Sequence, residues 1–202
     1  MENPTYLIIK DIFTFIFAAA GLIIAGMGLA TWKKQIKGTK EFNIAYNLHY
    51  SILKLRNAIK HVRDPFILPS EFYKATQYSK TKYPDKTEEE IKKDLNAYTY
   101  EMRWEEIRDA DIEMESHLLA AEVLWGPNIS NLIEPLHKKV IELNIALKQN
   151  FQPPEFRTKK IMEIHDIIYD KGYGDENNDD AFNKDVKQAI QEITDYIKTK
   201  IS

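Results

Sequence analysis

The first forty residues contain one long apolar stretch. The 21 residues from Ile12 to Trp32 carry no charge, and about 20 apolar residues are enough for a helix to cross the hydrocarbon core of a bilayer. A cleavable signal peptide would have a basic start, a shorter apolar core and a small-residue cleavage site, whereas Glu2 and Asp11 here outweigh Lys10. We therefore expect an uncleaved transmembrane helix. A signal peptide and a buried helix of a soluble protein are the alternatives.

The lysines that flank this stretch predict its orientation. Four of the eight residues that follow it (33–40) are lysines, and only Lys10 precedes it. Because Lys and Arg accumulate on the cytoplasmic side of a span, the C-terminal part should lie in the cytoplasm. The sequence thus predicts a single-pass protein of the cell inner membrane with its N-terminus outside. The expected parts are a short extracytoplasmic tail (1–11), a transmembrane helix (12–32) and a cytoplasmic domain (33–202).

Small residues recur along one face of the predicted span. Thr14, Ala18, Gly21, Ala25 and Gly28 follow one another at spacings of 4, 3, 4 and 3. Such a stripe allows two helix backbones to approach closely in a membrane. The sequence therefore predicts a helix-association face, although glycine and alanine are also common in spans that do not associate.

Beyond the span, apolar residues recur at helical spacing, and no alternating strand pattern is found. A first helix should occupy residues 41–63, because Asp64 precedes a proline. A second should run from Thr87 to Trp125, since Thr87 and Glu90 form a capping-box pattern and Gly-Pro follows Trp125. Three further helices are expected near residues 129–147, 156–168 and 182–196. About five helices with apolar stripes predict an all-α bundle with one core.

The connection between the first two helices of this bundle is long and rich in aromatic residues. Residues 64–86 contain three prolines and five Phe or Tyr side chains. Long connections inside compact domains are usually functional or packed by their own side chains. We expect an irregular segment whose aromatic residues cover one end of the bundle, with a contact to a partner or the membrane as the alternative.

Composition and charge narrow the classes of function. The chain has no cysteine, which excludes disulfides, thiolate metal sites and a cysteine nucleophile. The net charge is −3, yet residues 33–63 sum to +7 and residues 87–125 to −8. Opposite charges on consecutive helices favour an antiparallel hairpin; contact of the basic helix with anionic headgroups is the alternative. Since the domain is not basic overall, nucleic acid is not an expected partner.

Asp111 occupies a position inside the apolar stripe of the acidic helix. A buried carboxylate needs a partner, and Arg56, Lys60 and His49 on the preceding helix are candidates. We predict a buried ion pair between Asp111 and Arg56. The alternative is that the buried seam shifts to Ala110 and leaves Asp111 at its edge.

Patterns typical of metal and cofactor sites are incomplete. Glu134 and His137 form one E-x-x-H motif, but a di-metal bundle site requires two such motifs and two further glutamates. The acidic run 175–180 lacks the Gly and Glu that an EF-hand loop requires at its sixth and twelfth positions. No phosphate-binding loop or nucleophile elbow occurs. We therefore predict no metal and no cofactor.

One short string has the form of a catalytic signature. Arg56-Asn57-Ala58-Ile59-Lys60-His61 matches R-N-x-x-x-H and resembles the active-site signature of HEPN ribonucleases, a helical family common in bacterial defence. The resemblance implies that Arg56, Asn57 and His61 would act together on an RNA phosphodiester. In that family the signature usually falls late in the helical domain, whereas here it lies on the first helix after the span.

A broader resemblance covers most of the chain. A span that ends in W-K-K, a helix LKLRNAIKHVRDPFI and a helix that ends in LLAAEVLWG resemble uncharacterised small bacterial single-span membrane proteins with a cytoplasmic helical domain. This resemblance implies an architecture and no activity. We expect a membrane-anchored, non-enzymatic interaction or sensor module, with the bilayer and a protein partner or second copy as its partners. The alternatives are a HEPN-like ribonuclease and a membrane-perturbing effector of a defence-type system.

Overall fold

The computed structural model describes residues 4–172 and 180–201, and it describes the side chains of these ranges from Phe13 onward except that of Ala18. Within these ranges every regular element is a helix and no strand occurs, which confirms the predicted all-α class. The helices are α1 (Pro4–Val62), α2 (Pro69–Lys82), α3 (Glu88–Lys93), α4 (Leu95–Trp125), α5 (Asn128–Asn150), α6 (Ile161–Ile168) and α7 (Ala181–Ile201), with a 3₁₀ turn at Pro154–Phe156.

The chain divides into two compact units, Met1–Asn43 and Ile44–Ser202. The division lies eleven residues beyond the boundary predicted from the apolar stretch, and α1 contributes residues to both units. The predicted tail is helical from Pro4 onward. In the first unit, an 18-residue window of α1 has a mean hydropathy of 2.1, and none of it is buried. By length and composition this helix can cross a membrane.

The second unit has one main hydrophobic core. It is formed by the part of α1 from Ala45 onward together with α4, α5, α6 and α7. Its fully buried side chains include Leu48, Ile52, Leu55, Ile107, Met114, Ile129, Ile133, Leu136, Leu143, Ile168 and Ile193. Most of these residues recur at intervals of three, four or seven, which is the spacing that places them on one helix face.

The basic and acidic helices form the predicted antiparallel pair. The Lys54 ammonium lies 2.5 Å from Glu113, and His61 Nδ1 lies 2.8 Å from Glu106 Oε2. The later residue of α1 contacts the earlier residue of α4, so the two helices run in opposite directions. At Lys54 and Glu113, opposite charges of the two helices therefore attract each other within the chain.

The connection between these helices differs from the prediction, because α2 forms inside it. Pro69 occupies the first turn, where its missing N–H costs nothing, and the backbone N–H of Leu68 donates to Glu71 Oε2 over 2.9 Å. Ala75 of α2 is buried with Ile91 and Tyr98 in a second, smaller cluster. The bundle thus contains the end of α1 and six further helices, more than the five expected.

The predicted ends of the acidic helix are largely correct. Thr87 caps α3, since its hydroxyl accepts from the Glu90 N–H and its own N–H donates to the Glu90 carboxylate. Gly126 follows α4 with φ of +79°, a conformation that favours glycine. The difference is a break at Asp94, which separates α3 from α4. Pro135, placed inside the third predicted helix, lies within α5.

Candidate functional site

The predicted helix-association face lies on the exposed part of α1. Thr14, Gly21, Ala25 and Gly28 are exposed, whereas the side chain of Ala18 lies outside the described residues. A Cβ added at Gly21 or Gly28 would meet no atom within 4 Å. This surface is therefore open to another molecule.

Within the R-N-x-x-x-H string, Arg56 and Asn57 contact each other, whereas His61 makes a separate set of contacts. The Arg56 guanidinium donates to Asn57 Oδ1 over 3.2 and 3.0 Å. His61 lies between two carboxylates, with Nδ1 2.8 Å from Glu106 and Nε2 3.3 Å from Glu71. Both ring nitrogens of His61 thus already have a partner, and the ring links α1 to α2 and α4.

Arg56 lies on a different side of α1 from His61. Arg56 follows His49 by seven residues, or about two turns, and so shares its face of α1; His49 Nε2 lies 3.1 Å from Thr194 Oγ1 of α7. Arg56 therefore lies on the side of α1 that faces α7, and His61 lies on the side that faces α2 and α4. The geometry does not bring these residues together around one phosphate.

Asp111 and Arg56 do not form the predicted ion pair. Ala110 is fully buried and Asp111 is about one-third exposed, so the seam shifts by one residue, as in the alternative. The partner of Asp111 is His137 of α5, with 3.3 Å between Oδ1 and Nε2, and Glu115 lies 3.1 Å from the same nitrogen. The Asp111 carboxylate, opposed by burial and aided by Glu115, raises the pKa of His137.

Sequence reasoning missed two fully buried arginines, of which Arg63 is the first. Its Nε donates to the carbonyl of Ile167 over 2.7 Å, and Nη2 donates to Asp180 Oδ2 over 2.7 Å. The guanidinium also bonds Asn183 and lies 4.4 Å from the Phe182 ring centre. Arg63 thereby joins the end of α1 to α6 and α7.

Arg103 of α4 is the second fully buried arginine. Its Nε and Nη2 donate to the two carboxylate oxygens of Glu71 over 2.7 and 3.0 Å, and it also donates to the carbonyls of Asp64 and Phe66 over 2.7 Å each. This ion pair lowers the pKa of Glu71 to about 2. The available signal was the apolar stripe of α4, in which Arg103 stands four residues before the buried Ile107.

Three adjoining grooves surround Phe151, and we call them the Phe151 surface. Their volumes are about 380, 380 and 460 Å³. They lie between the segment before α4, the first half of α4 and the end of α5, and Phe151 lines all three. The other lining residues used below are Lys82, Lys86, Lys93, Asp94, Asn96, Ala97, Tyr100, Glu101, Trp104, Glu105, Arg108, Asn144 and Lys148.

Neither a metal centre nor a known relative defines the site. Among the described side chains, no group of three His, Asp or Glu residues is arranged to hold a metal ion; the acids of residues 175–179 lie outside that range. At His61 the two carboxylates contact opposite ring nitrogens and so do not converge on one point. Comparison with protein families, curated proteins and solved structures finds no match for this chain.

Proposed function

We propose that the chain is a single-pass protein of a bacterial inner membrane whose cytoplasmic bundle is a non-enzymatic interaction or sensor module. The observation that carries this proposal is the uncharged stretch of α1 from Ile12 to Trp32, whose most apolar window is not buried. Large side chains such as Phe15, Phe17, Leu22 and Ile24 are at least 70% exposed. Leaving each of them in water costs about 1.5–3 kcal/mol, so a bilayer is the natural environment of this segment.

The contacts in the second unit support a binding role over a catalytic one. Arg56, Asn57 and His61 line none of the three grooves at the Phe151 surface. The guanidinium groups of the buried Arg63 and Arg103 donate their hydrogen bonds to backbone carbonyls near helix ends and to carboxylates of the chain itself. The concave surface that remains is lined by aromatic, amide and charged side chains, a combination found at binding sites.

Membrane insertion and orientation are testable because the natural chain has no cysteine. We expect Asn3→Cys to react with a membrane-impermeant maleimide in intact spheroplasts, since lysine asymmetry places the N-terminus outside. Lys74→Cys, an exposed position on α2, should react only after lysis. The protein should stay in the membrane pellet after carbonate extraction. Extraction into the supernatant would overturn the anchor, and reversed labelling would overturn the orientation.

Association of two spans is a second testable part of this proposal. The double change Gly21→Leu and Ala25→Leu fills the association face, and the first position has open space around it. We expect self-association in a membrane two-hybrid assay to fall by about 1 kcal/mol, or roughly fivefold.

The matched control adds the same side-chain volume elsewhere on the helix. Gly26→Leu and Ala30→Leu lie about 140° and 180° from Gly21 at 100° per residue. This pair should leave the two-hybrid signal unchanged. Equal loss in both pairs would show that added bulk alone is responsible and would remove the association face from the proposal.

A further inference from the structure

We propose that the Phe151 surface binds an acidic segment of a protein partner that carries an apolar or aromatic side chain. The proposal names the kind of partner for the interaction module and therefore rests on the proposed function. It follows from three properties of the groove lining. The floor is aromatic, cations outnumber acids, and two amide side chains make no hydrogen bond within the described part of the chain.

The floor of the grooves is aromatic. Phe151 directly follows the last residue of α5 and is 41% exposed. Its ring centre lies 5.7 Å from that of Tyr100, and Trp104 lines the same groove. Volumes of about 380–460 Å³ are sufficient for side chains of a bound segment. An apolar or aromatic residue of a partner would cover the exposed ring.

The acids of this surface already have partners. Glu105 contacts Lys82, the hydroxyl of Tyr78 and Arg108. Glu101 likewise contacts Lys82 over 2.9 Å and accepts from the hydroxyl of Tyr83 over 2.7 Å.

Asp94, the third acid of the lining, lies 3.8 Å from Lys86. Two of the five cations of the lining, by contrast, have no acidic partner. Lys93 and Lys148 have no carboxylate within 4 Å among the described residues. Five cations and three acids line the surface, whereas residues 87–125 as a whole carry −8. This local excess of positive charge favours an acidic ligand, and the lysines left without partners are available to contact it.

Three asparagines complete the lining, and one of them, Asn150, contacts His165 through its Oδ1 over 3.2 Å. Asn96 and Asn144 line the grooves, and their side chains make no hydrogen bond within the described part of the chain. A carboxamide offers both a donor and an acceptor, which matches the N–H and C=O of a peptide backbone.

A peptide also fits this surface better than a polyphosphate or a lipid bilayer does. Two lysines without a carboxylate partner, Lys93 and Lys148, match the few separate carboxylates of a peptide better than the continuous row of phosphates of a nucleic acid. The aromatic side chains lie in separate concave grooves, whereas insertion into a bilayer requires apolar side chains that project outward.

The test uses the full chain in phosphatidylcholine nanodiscs. A random-peptide library displayed on phage should yield sequences that are net acidic and contain Phe, Trp or Leu. For a synthetic peptide of the selected class, fluorescence anisotropy should show about tenfold weaker binding to Lys148→Glu, equal to about 1.4 kcal/mol. Lys74→Glu, an exposed lysine outside the grooves, is the matched control and should bind as the natural chain does.

Two further measurements distinguish a loss of peptide binding from a loss of folding. Phe151→Ser should abolish binding while circular dichroism stays that of the natural chain, and a peptide with one acid replaced by lysine should recover affinity for Lys148→Glu. Selection without acidic enrichment, or equal binding by Lys148→Glu, would overturn the proposal. Tighter, Lys148-dependent binding of polyuridine RNA or of phosphatidylglycerol vesicles would also overturn it. The maleimide experiment is independent of these outcomes, so membrane anchoring and peptide binding can fail separately.

Discussion

Replacing Arg63 with leucine is expected to lower the free energy of unfolding of the second unit by about 3–5 kcal/mol, the usual cost of removing one partner from a buried ion pair. Arg63 is fully buried, and its partner Asp180 is only 10% exposed at its side chain. The substitution leaves a carboxylate without its cation in a water-poor site. Burial raises the pKa of Asp180, but the Arg63 guanidinium and the Asn183 N–H hold it below its usual value.

The loss extends to two helix ends. Arg63 donates to the carbonyls of Asp166, Ile167 and Tyr169, close to the end of α6, where carbonyls lack partners inside the helix. Asp180 accepts from the Asn183 N–H over 2.8 Å and so caps the start of α7. One guanidinium thereby stabilises the negative end of one helix and the capping carboxylate of the next.

Urea unfolding of the full chain in mild detergent, followed by tryptophan fluorescence, measures this effect. Lys60→Leu is the matched control, because Lys60 is an exposed cation near the end of the same helix. It should change the midpoint little, as exposed substitutions usually do. Arg63→Lys keeps the charge but cannot supply the forked donors, so it should be intermediate. A loss below about 1 kcal/mol for Arg63→Leu would contradict the structural role.

Local patterns predicted much of the fold. The apolar spacing on α1 and α4, the capping box at Thr87 and the stop at Gly126 are properties of neighbouring residues, and the structure contains them. The pairing of α1 with α4 followed from opposite net charge on consecutive helices. Each of these signals depends on residues that are close in sequence or on sums over a whole segment.

The helix α2 was missed because its local signals conflict. Three prolines and a high aromatic content in residues 64–86 favoured an irregular connection. Pro69, however, falls at the first turn of a helix, where proline is favourable, and Glu71 accepts from the N–H of Leu68. The helix is also stabilised by α4, through Arg103 and through the hydroxyl contact of Tyr78 with Glu105. That support comes from residues 27 or more positions away.

The polar contacts of the core could not be predicted from the same patterns. Arg63 donates hydrogen bonds to residues more than 100 positions later, and Asp111 contacts His137 on the next helix. A shift of one residue in the seam of α4 exchanges Ala110 for Asp111 at the buried position. Consecutive residues lie about 100° apart around a helix, so sequence spacing alone could not decide whether Ala110 or Asp111 faces the core, and it did not identify His137 as the partner of Asp111.

Replacing Glu71 with glutamine is expected to destabilise the second unit by about 3 kcal/mol at neutral pH, because the buried Arg103 loses its carboxylate. The hydrogen bond from Arg103 and, more weakly, the Leu68 N–H lower the pKa of Glu71 from 4.5 to about 2 despite the opposing effect of burial. Since the pKa is lower in the folded chain, ionised Glu71 stabilises the fold above about pH 4.5. This contribution disappears as the pH falls toward 2.

The pH dependence separates this charge effect from a packing effect. The difference in unfolding free energy between the natural chain and Glu71→Gln should be full at pH 7 and should shrink between pH 4.5 and 2, because Glu71 then becomes neutral in both states. Glu106→Gln is the matched control: Glu106 contacts the same His61 but is 54% exposed at its side chain, so its effect should stay within about 1 kcal/mol. A difference for Glu71→Gln that stays constant from pH 7 to pH 2 would show that shape, and not the ion pair with Arg103, stabilises this junction of α1, α2 and α4.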